Sequence, residues 1–404
     1  MSPSQLLLPY GRHQIEADDI AAVAAVLGSE WLTTGPTVPA FEAALAGKLG
    51  ARHAVACSSG TAGLHLTMLA LSLGPGDAVV VPSMTFLATA NAARFVGAEV
   101  VFADVDSETG LMGPVEVEAA LARAGDVRVQ AVLPVHFAGQ CMDPAGIAAL
   151  AAERGLVVVE DACHAIGTTY VTSGDGRAAV GACRDSAMCV FSFHPVKTVT
   201  MGEGGAITTN DEDLARRLRL FRNHGMTRDP DRFETTDTAL AGDRSPNPWY
   251  YEMAEIGFNY RASDIHCALG LSQLGKLDRF VAKRRVLAAH YGALLAPLAP
   301  MVRPLGRVPA CEPGWHLYVV LVDFDALGRD RAAVMTRLKE RGIGTQVHYM
   351  PLHLHPYYRR RYGEMSLPGS EAYYARAVSL PLFPGMADAD VDRVVVTLRT
   401  ILKI

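Results

Sequence analysis

The residues able to do chemistry in this chain fall in three short segments. The first is Ser192-Phe193-His194-Pro195-Val196-Lys197, followed by Thr198-Val199-Thr200-Met201-Gly202-Glu203-Gly204-Gly205. Lys197 is the single lysine between Lys48 and Lys276, in a chain that carries its basic charge mostly on arginine. A lysine among apolar residues and a prolyl turn is poorly placed for a solvated role. Burial would lower its pKa and make it a usable nucleophile and base. A chance lysine in a turn is the plainer alternative, and the scarcity of lysine elsewhere weakens it. The second segment, Glu160-Asp161-Ala162-Cys163-His164-Ala165, puts Asp161 just past a nearly all-apolar run. A carboxylate there is costly unless a cation or donor meets it. A protonated pyridine nitrogen or a structural arginine would serve, and the segment alone does not choose. The third segment, Ser58-Ser59-Gly60-Thr61-Ala62-Gly63, opens a helix with small and hydroxyl residues. Its free N–H groups and the helix dipole favour an anion, although plain capping by Ser58, Ser59 or Thr61 accounts for it equally well when it is taken alone.

Several other patterns lead nowhere further. No Gly-Lys-Ser/Thr follows Gly60, so there is no P-loop, and Gly202–Gly205 lies between two strands, so it is no dinucleotide fingerprint. His348, His353 and His355 have no carboxylate or cysteine at a standard metal spacing; substrate or packing roles fit them better, and no metal is expected.

The elements that position these segments alternate. Strands are predicted at His53–Cys57, Ala78–Pro82, Glu99–Ala103, Val129–Pro134, Leu156–Glu160, 187–193 and 205–209. Helices are predicted at His13–Leu27, 40–49, Thr61–Leu73, Thr85–Phe95, Val115–Arg123, Asp143–Arg154 and 211–223. Strands apolar on both faces and separated by helices imply a mostly parallel, doubly covered sheet. All three segments then sit at strand ends, on the rim where such sheets bind ligands. Residues 224–250 are rich in Asp, Arg, Thr, Pro and Gly and read as a long loop of the kind that forms lids. One helix is predicted over Ser263–Tyr291. After Pro297 come a strand at His316–Val322, a helix at Asp330–Arg341, a strand at Gly344–His348 and a closing helix at Asp388–Ile401.

Composition sets the frame. At 404 residues, 50% hydrophobic and 20% charged, the chain suits two folded domains and excludes wholesale disorder. A net charge of −5 argues against nucleic-acid or anionic-membrane binding. No apolar run is long enough for a membrane span, and Met1–Gly11 shows no secretory pattern. Seven scattered cysteines without a C-x-x-C suit a reduced, cytoplasmic setting.

Taken together, the three segments resemble the fold-type I, pyridoxal-phosphate-dependent sugar aminotransferases that act on nucleotide-linked 4-keto sugars. The likeness runs from Leu8-Pro9-Tyr10-Gly11-Arg12 through Trp31-Leu32-Thr33 to Ser379-Leu380-Pro381. Within the family, Pro134–Gln140, Gly257-Phe258-Asn259-Tyr260-Arg261 and Gln346–Pro351 resemble the branch serving pseudaminic acid biosynthesis. Gly225–Asp229 and Pro248–Glu252 fit the same branch. Met201 departs from it, since relatives often carry threonine there.

The resemblance implies an α/β fold. A large domain over 1–260 holds a mostly parallel seven-stranded sheet, and a linking helix with a smaller α+β domain covers 261–404. It implies that Lys197 bonds the cofactor and is the catalytic residue. Asp161 would pair with the ring nitrogen, Phe86 stack on the ring and His164 lie near its hydroxyl. Gly60, Thr61, Ala62 and Ser192 would hold the phosphate, joined by Asn259 from a second subunit, so that a homodimer shares its sites. Tyr10, Glu30, Trp31, Leu32, Thr33, Gln346, Val347, His348 and Tyr349 would contact the sugar nucleotide. The implied reaction moves the amino group of L-glutamate to C4 of a UDP-linked 2-acetamido-2,6-dideoxy-4-hexulose. The competing expectations are GDP- or dTDP-linked 4-keto-6-deoxy sugars, or sugar dehydration. The last is disfavoured because dehydrating relatives have lost the lysine.

Overall fold

The computed structural model describes residues 7–172, 174, 176–235 and 237–404. Met1–Leu6, part of the stretch read above for a secretory pattern, and Thr236, within the long loop, lie outside the described residues.

Seven strands form the central sheet: β1 (His53–Cys57), β2 (Asp77–Pro82), β3 (Glu99–Ala103), β4 (Arg128–Val132), β5 (Val157–Asp161), β6 (Met188–Ser192) and β7 (Gly205–Thr209). Their order is β1-β7-β6-β5-β4-β2-β3. Pairings from β3 through β6 are parallel, and only β7 runs against its neighbours β1 and β6. The strands are almost entirely buried because helices cover both faces. One core packs around Phe41, Phe137, Phe191 and Phe193, and a second around Leu64, Leu66, Val81 and Ile207.

Helices α1 (Ala17–Leu27) and α2 (Thr37–Leu49) precede the sheet, α3 (Gly60–Ala70), α4 (Leu87–Phe95), α5 (Pro114–Ala124) and α6 (Pro144–Glu153) supply the crossovers between β1 and β5, and α7 (Glu212–Arg222) follows β7. The opening helix starts at Ala17, not His13, because the Asp19 carboxylate accepts the Glu16 N–H at 2.9 Å and sets the first turn there. α4 starts at Leu87, which leaves Thr85 and Phe86 on the rim. The helix read over Ser263–Tyr291 is two: α8 (Asp264–Leu274) and α9 (Leu277–Leu295). The break falls at Gly275-Lys276, where the Lys276 ammonium turns to Asp18 at 2.7 Å and Asp19 at 2.6 Å on α1.

A three-stranded antiparallel sheet follows, formed by β8 (Val302–Pro304), β9 (Tyr318–Val322) and β10 (Ala377–Leu380) with β9 central. α9, α10 (Arg331–Glu340) and α13 (Asp388–Leu402) pack around it, and α11 (Pro356–Tyr362) and α12 (Pro368–Arg376) link back to the large sheet. The strand expected at Gly344–His348 is absent. Only Gln346 bridges to Ser379, since His348 turns inward to place Nδ1 2.7 Å from Ser379 Oγ. Leu8 packs in this C-terminal core, and Leu8 and Gly344 hydrogen-bond, so the N-terminal stretch up to Tyr10 joins the C-terminal part of the molecule.

Candidate active site

Loops after β1, β2, β5 and β6 converge at the carboxyl ends of the parallel strands, as open α/β sheets require for ligand binding. They enclose a cavity of about 490 Å³.

Lys197 reaches it from the turn between β6 and β7. That turn is fixed by Lys197 N–H to His194 O at 2.8 Å, Met201 N–H to Phe193 O at 2.9 Å and Phe193 N–H to Gly204 O at 2.9 Å. Burial of the amine pulls its pKa below the usual lysine range, while Cys163 and Asp161 push the other way. Lys197 makes no ion pair among the described residues.

Asp161 ends β5. Its Oδ2 accepts from Thr89 Oγ1 at 2.7 Å, and Thr89 is itself 2.8 Å from Thr85 Oγ1; its Oδ1 accepts from Cys163 N–H at 3.1 Å. No arginine meets this buried carboxylate among the described residues, so the structural-arginine alternative is not realised. Its neighbour Cys163 is kept a neutral thiol by burial and by that carboxylate.

At the start of α3, Ser59 Oγ accepts the Ala62 N–H at 3.1 Å. The capping reading therefore holds for Ser59, and Ala62, whose N–H it takes, lies outside the cavity lining. Gly60 and Thr61 do line it. A Cβ on Gly60 would meet Ser192 Cβ at 2.8 Å and Cys163 Sγ at 3.1 Å, so only glycine lets the three loops close on one point. First-turn N–H groups and the Ser192 hydroxyl there form an anion cradle.

The opposite wall is aromatic. Phe86 and Tyr349 have ring centroids 5.9 Å apart, and Tyr10 and His348 5.3 Å apart. His164 Nε2 is 3.1 Å from Tyr349 Oη. Burial, then the Lys197 charge, holds His164 well below the usual histidine range, and burial pushes His348 down to about 3. Gln346 and Val347 complete the rim. His353, the other buried histidine of that segment, spends its Nδ1 on Ser83 Oγ at 2.6 Å.

Glu30, Trp31, Leu32, Thr33 and Asn259 do not line the cavity; all five are exposed. His316 does line it, and sequence reasoning placed it only as the first residue of a strand. Nothing in its local pattern marks it, because its loop reaches the site only through the packing of the C-terminal sheet.

The cavity suits pyridoxal phosphate: an anion cradle, a buried carboxylate lacking a cation, a depressed lysine and an aromatic wall. A family model described as the DegT/DnrJ/EryC1/StrS aminotransferase family matches residues 13–399. The chain belongs to that family. It is thus a sugar aminotransferase that uses pyridoxal phosphate. The structure is similar to that of the aminotransferase TlmJ from Streptoalloteichus hindustanus, at 32% identity and TM-score 0.85 over 98% of this chain and 99% of that one. It is similar to Helicobacter pylori PseC, an aminotransferase involved in the biosynthesis of pseudoaminic acid, at 28% identity and TM-score 0.85 over 98% and 99%. The sugar aminotransferase Spr1654 of Streptococcus pneumoniae, in its form with pyridoxamine phosphate, matches at 26% identity and TM-score 0.85 over 98% of each chain.

Proposed function

We propose that this aminotransferase transfers the amino group of L-glutamate to C4 of a UDP-linked 2-acetamido-2,6-dideoxy-4-hexulose, on the route to pseudaminic acid. The observation that carries the aminotransferase site is the meeting, in one aromatic-walled cavity, of Lys197 with the buried Asp161, which makes no ion pair among the described residues. When bound, pyridoxal phosphate supplies a carbonyl that accepts the amino group and a cationic ring that draws electrons from the bond being broken.

The chain's own residues do the rest. Gly60, Thr61 and Ser192 hold the phosphate and so fix the depth of the ring. Asp161, locked by Thr89 and the Cys163 N–H, keeps the ring nitrogen protonated. Lys197 Nζ takes the proton from Cα of glutamate and delivers one to C4 of the sugar; an amine with a lowered pKa can do both near neutral pH. The neutral His164 and Tyr349 orient polar atoms beside it. Tyr10 and Gln346–Tyr349 receive the sugar by apolar and stacking contact. The long loop is pinned by a short pair, Met226–Thr227 with Glu252–Met253; its Arg228, over the Tyr251 ring, and its Arg232, 3.0 Å from Asp229, are proposed to meet the diphosphate once substrate is bound.

The choice of sugar rests on the Pro134–Gln140, Gly257–Arg261 and Gln346–Pro351 segments and on the likeness to PseC. The enzyme is proposed to act in the cytoplasm, where its seven unpaired thiols persist. No helix among the described residues is long and apolar enough to cross a membrane. The test is product analysis by NMR after incubation with glutamate and each of the UDP-, GDP- and dTDP-linked 4-keto sugars. Selective amination of the UDP sugar is expected. A clear preference for GDP-4-keto-6-deoxymannose or dTDP-4-keto-6-deoxyglucose would replace the sugar and leave the transaminase intact.

A further inference from the structure

We propose that His316 is a positioning residue: its imidazole packs against that of His164 and holds the ring orientation in which His164 Nε2 meets the Tyr349 hydroxyl, the bond that selects the His164 tautomer. The proposal rests on the aminotransferase reading of the cavity.

Three costly features of the fold converge on this one side chain. Trp315, the residue before it, sits at φ 51°, a left-handed conformation that a bulky residue rarely adopts. Its packing partner is equally unusual. Ala138 has φ 56° and Gly139 φ 93°, and a Cβ on Gly139 would meet Trp315 N at 2.8 Å and His316 N at 3.2 Å. The two strained turns are joined by His316 N–H to Ala138 O at 3.1 Å. The third feature is Arg284 of α9. It is buried and its Nη1 meets no carboxylate; it donates instead to the carbonyls of Trp315 at 3.1 Å, His316 at 3.2 Å and Leu382 at 2.9 Å. A buried guanidinium whose Nη1 goes to three backbone carbonyls, and whose Nε has no partner among the described residues, is an expensive brace.

What the brace holds is a pair of imidazoles. The His316 and His164 ring centroids are 4.4 Å apart, tilted by 47°. Nδ1 of each ring is buried and has no hydrogen-bond partner among the described residues. His164 has one side-chain hydrogen bond, Nε2 with Tyr349 Oη, and of the rings around it His316, at 4.4 Å, lies nearer than Phe137 at 5.9 Å or Tyr349 at 6.1 Å. A ring held by one hydrogen bond can still flip and offer Nδ1 in place of Nε2; a second ring packed close against it keeps Nε2 on the Tyr349 hydroxyl, and that bond then selects the tautomer. Burial above all, and then the neighbouring His164, Lys197, Arg284 and His348, hold His316 well below the usual histidine range, so it is neutral. His316 therefore acts by shape and not by proton transfer.

The test compares His316→Ala, which removes the packing, with His316→Phe, which keeps a flat ring without nitrogen. The first readout needs no turnover. In cofactor-free protein, ¹⁵N shifts of the His164 ring, assigned with a His164→Asn sample, should show one neutral tautomer from pH 8 to about 5.5 in wild type. His316→Phe should preserve that tautomer, and His316→Ala should show a mixture or bring His164 into titration. In the loaded enzyme, kcat should fall on the order of tenfold or more in His316→Ala, with KM for glutamate little changed, and recover in His316→Phe. Should His316→Ala not fold, His316→Gln, which cannot cover the ring, takes its place. Unchanged His164 shifts in the folded Ala or Gln variant would overturn the proposal, whatever the activity. If wild type forms no 2-oxoglutarate from glutamate and cofactor, the aminotransferase site fails instead, and the ¹⁵N comparison still decides the role of His316.

Discussion

At Lys197, function and stability oppose each other. Its pKa is lowered in the folded protein, chiefly by burial. For a base this means that, between the folded and unfolded pKa, the unfolded chain binds the extra proton. Stability contributed by the neutral form is therefore full above the ordinary lysine pKa and lost as pH falls through the folded value. Cofactor-free Lys197→Met should accordingly melt higher than wild type near pH 7, and the gain should shrink toward pH 10. Turnover should fall on the order of 100-fold or more. A melting curve that shows no gain for the methionine variant would mean the amine is well solvated. The same residue was legible in the sequence because it is isolated among arginines. Asp161 was legible because it caps an apolar run. His316 was not, since it reaches the site only through the packing of the C-terminal sheet, distant in sequence.

Among the elements, the strands Glu99–Ala103, His53–Cys57 and Gly205–Thr209 are found with the bounds their composition suggests. Uniform apolar runs between turn residues leave little choice. The break between α8 and α9 left no such mark, because the helical pattern runs through Gly275 and the cause lies on α1. Asp19 is fully buried and is met by Ser272 Oγ at 2.6 Å, Gln273 Nε2 at 2.8 Å and Lys276 Nζ at 2.6 Å. Lys276→Met removes the only cation of this set while the carboxylate stays buried. A loss of about 3 kcal/mol is expected by urea unfolding, and a loss below about 1 kcal/mol would show that the neutral donors, Ser272, Gln273 and the Glu16 N–H, suffice. Met201, the departure from the family pattern, is similarly explained by packing. It is buried against α8, where a Cβ on Gly270 would meet its Cγ at 2.7 Å and Phe41 Cε2 at 3.0 Å. Gly270→Ala should cost about 1–2 kcal/mol, overpacking outweighing the helix propensity gained. Most of that loss should disappear in a Met201→Thr background, a coupling that a double-mutant cycle measures.

Over the whole molecule, five residues that the resemblance assigns to the site do not reach it within one chain. Asn259 and Glu30–Thr33 are exposed and lie off the cavity. The surface also exposes large apolar side chains outside the cavity: Phe95, Trp249 and Ile256 are each more than half exposed, Ile256 by 79%. Contiguous patches of such side chains mark association. The resemblance sends Asn259 to the phosphate of a second subunit, so the homodimer with shared sites is proposed as the working enzyme. Sequence could suggest this only through the family, because no local pattern says which surface residues will face a twin. Complementation separates the alternatives. Lys197→Ala and Asn259→Ala chains are each expected to be impaired alone. If sites are shared, a mixed dimer contains one site with Lys197 from one chain and Asn259 from the other, both intact, and a second site with neither. Random assortment makes half the dimers mixed, so an equal mixture should recover about a quarter of wild-type activity. If each site is built from one chain, every site in the mixture carries one defect and no recovery occurs. Mixing must follow reversible dissociation, verified by exchange of a tagged chain, and activity that stays at the level of the separate variants after verified exchange rules out the shared site.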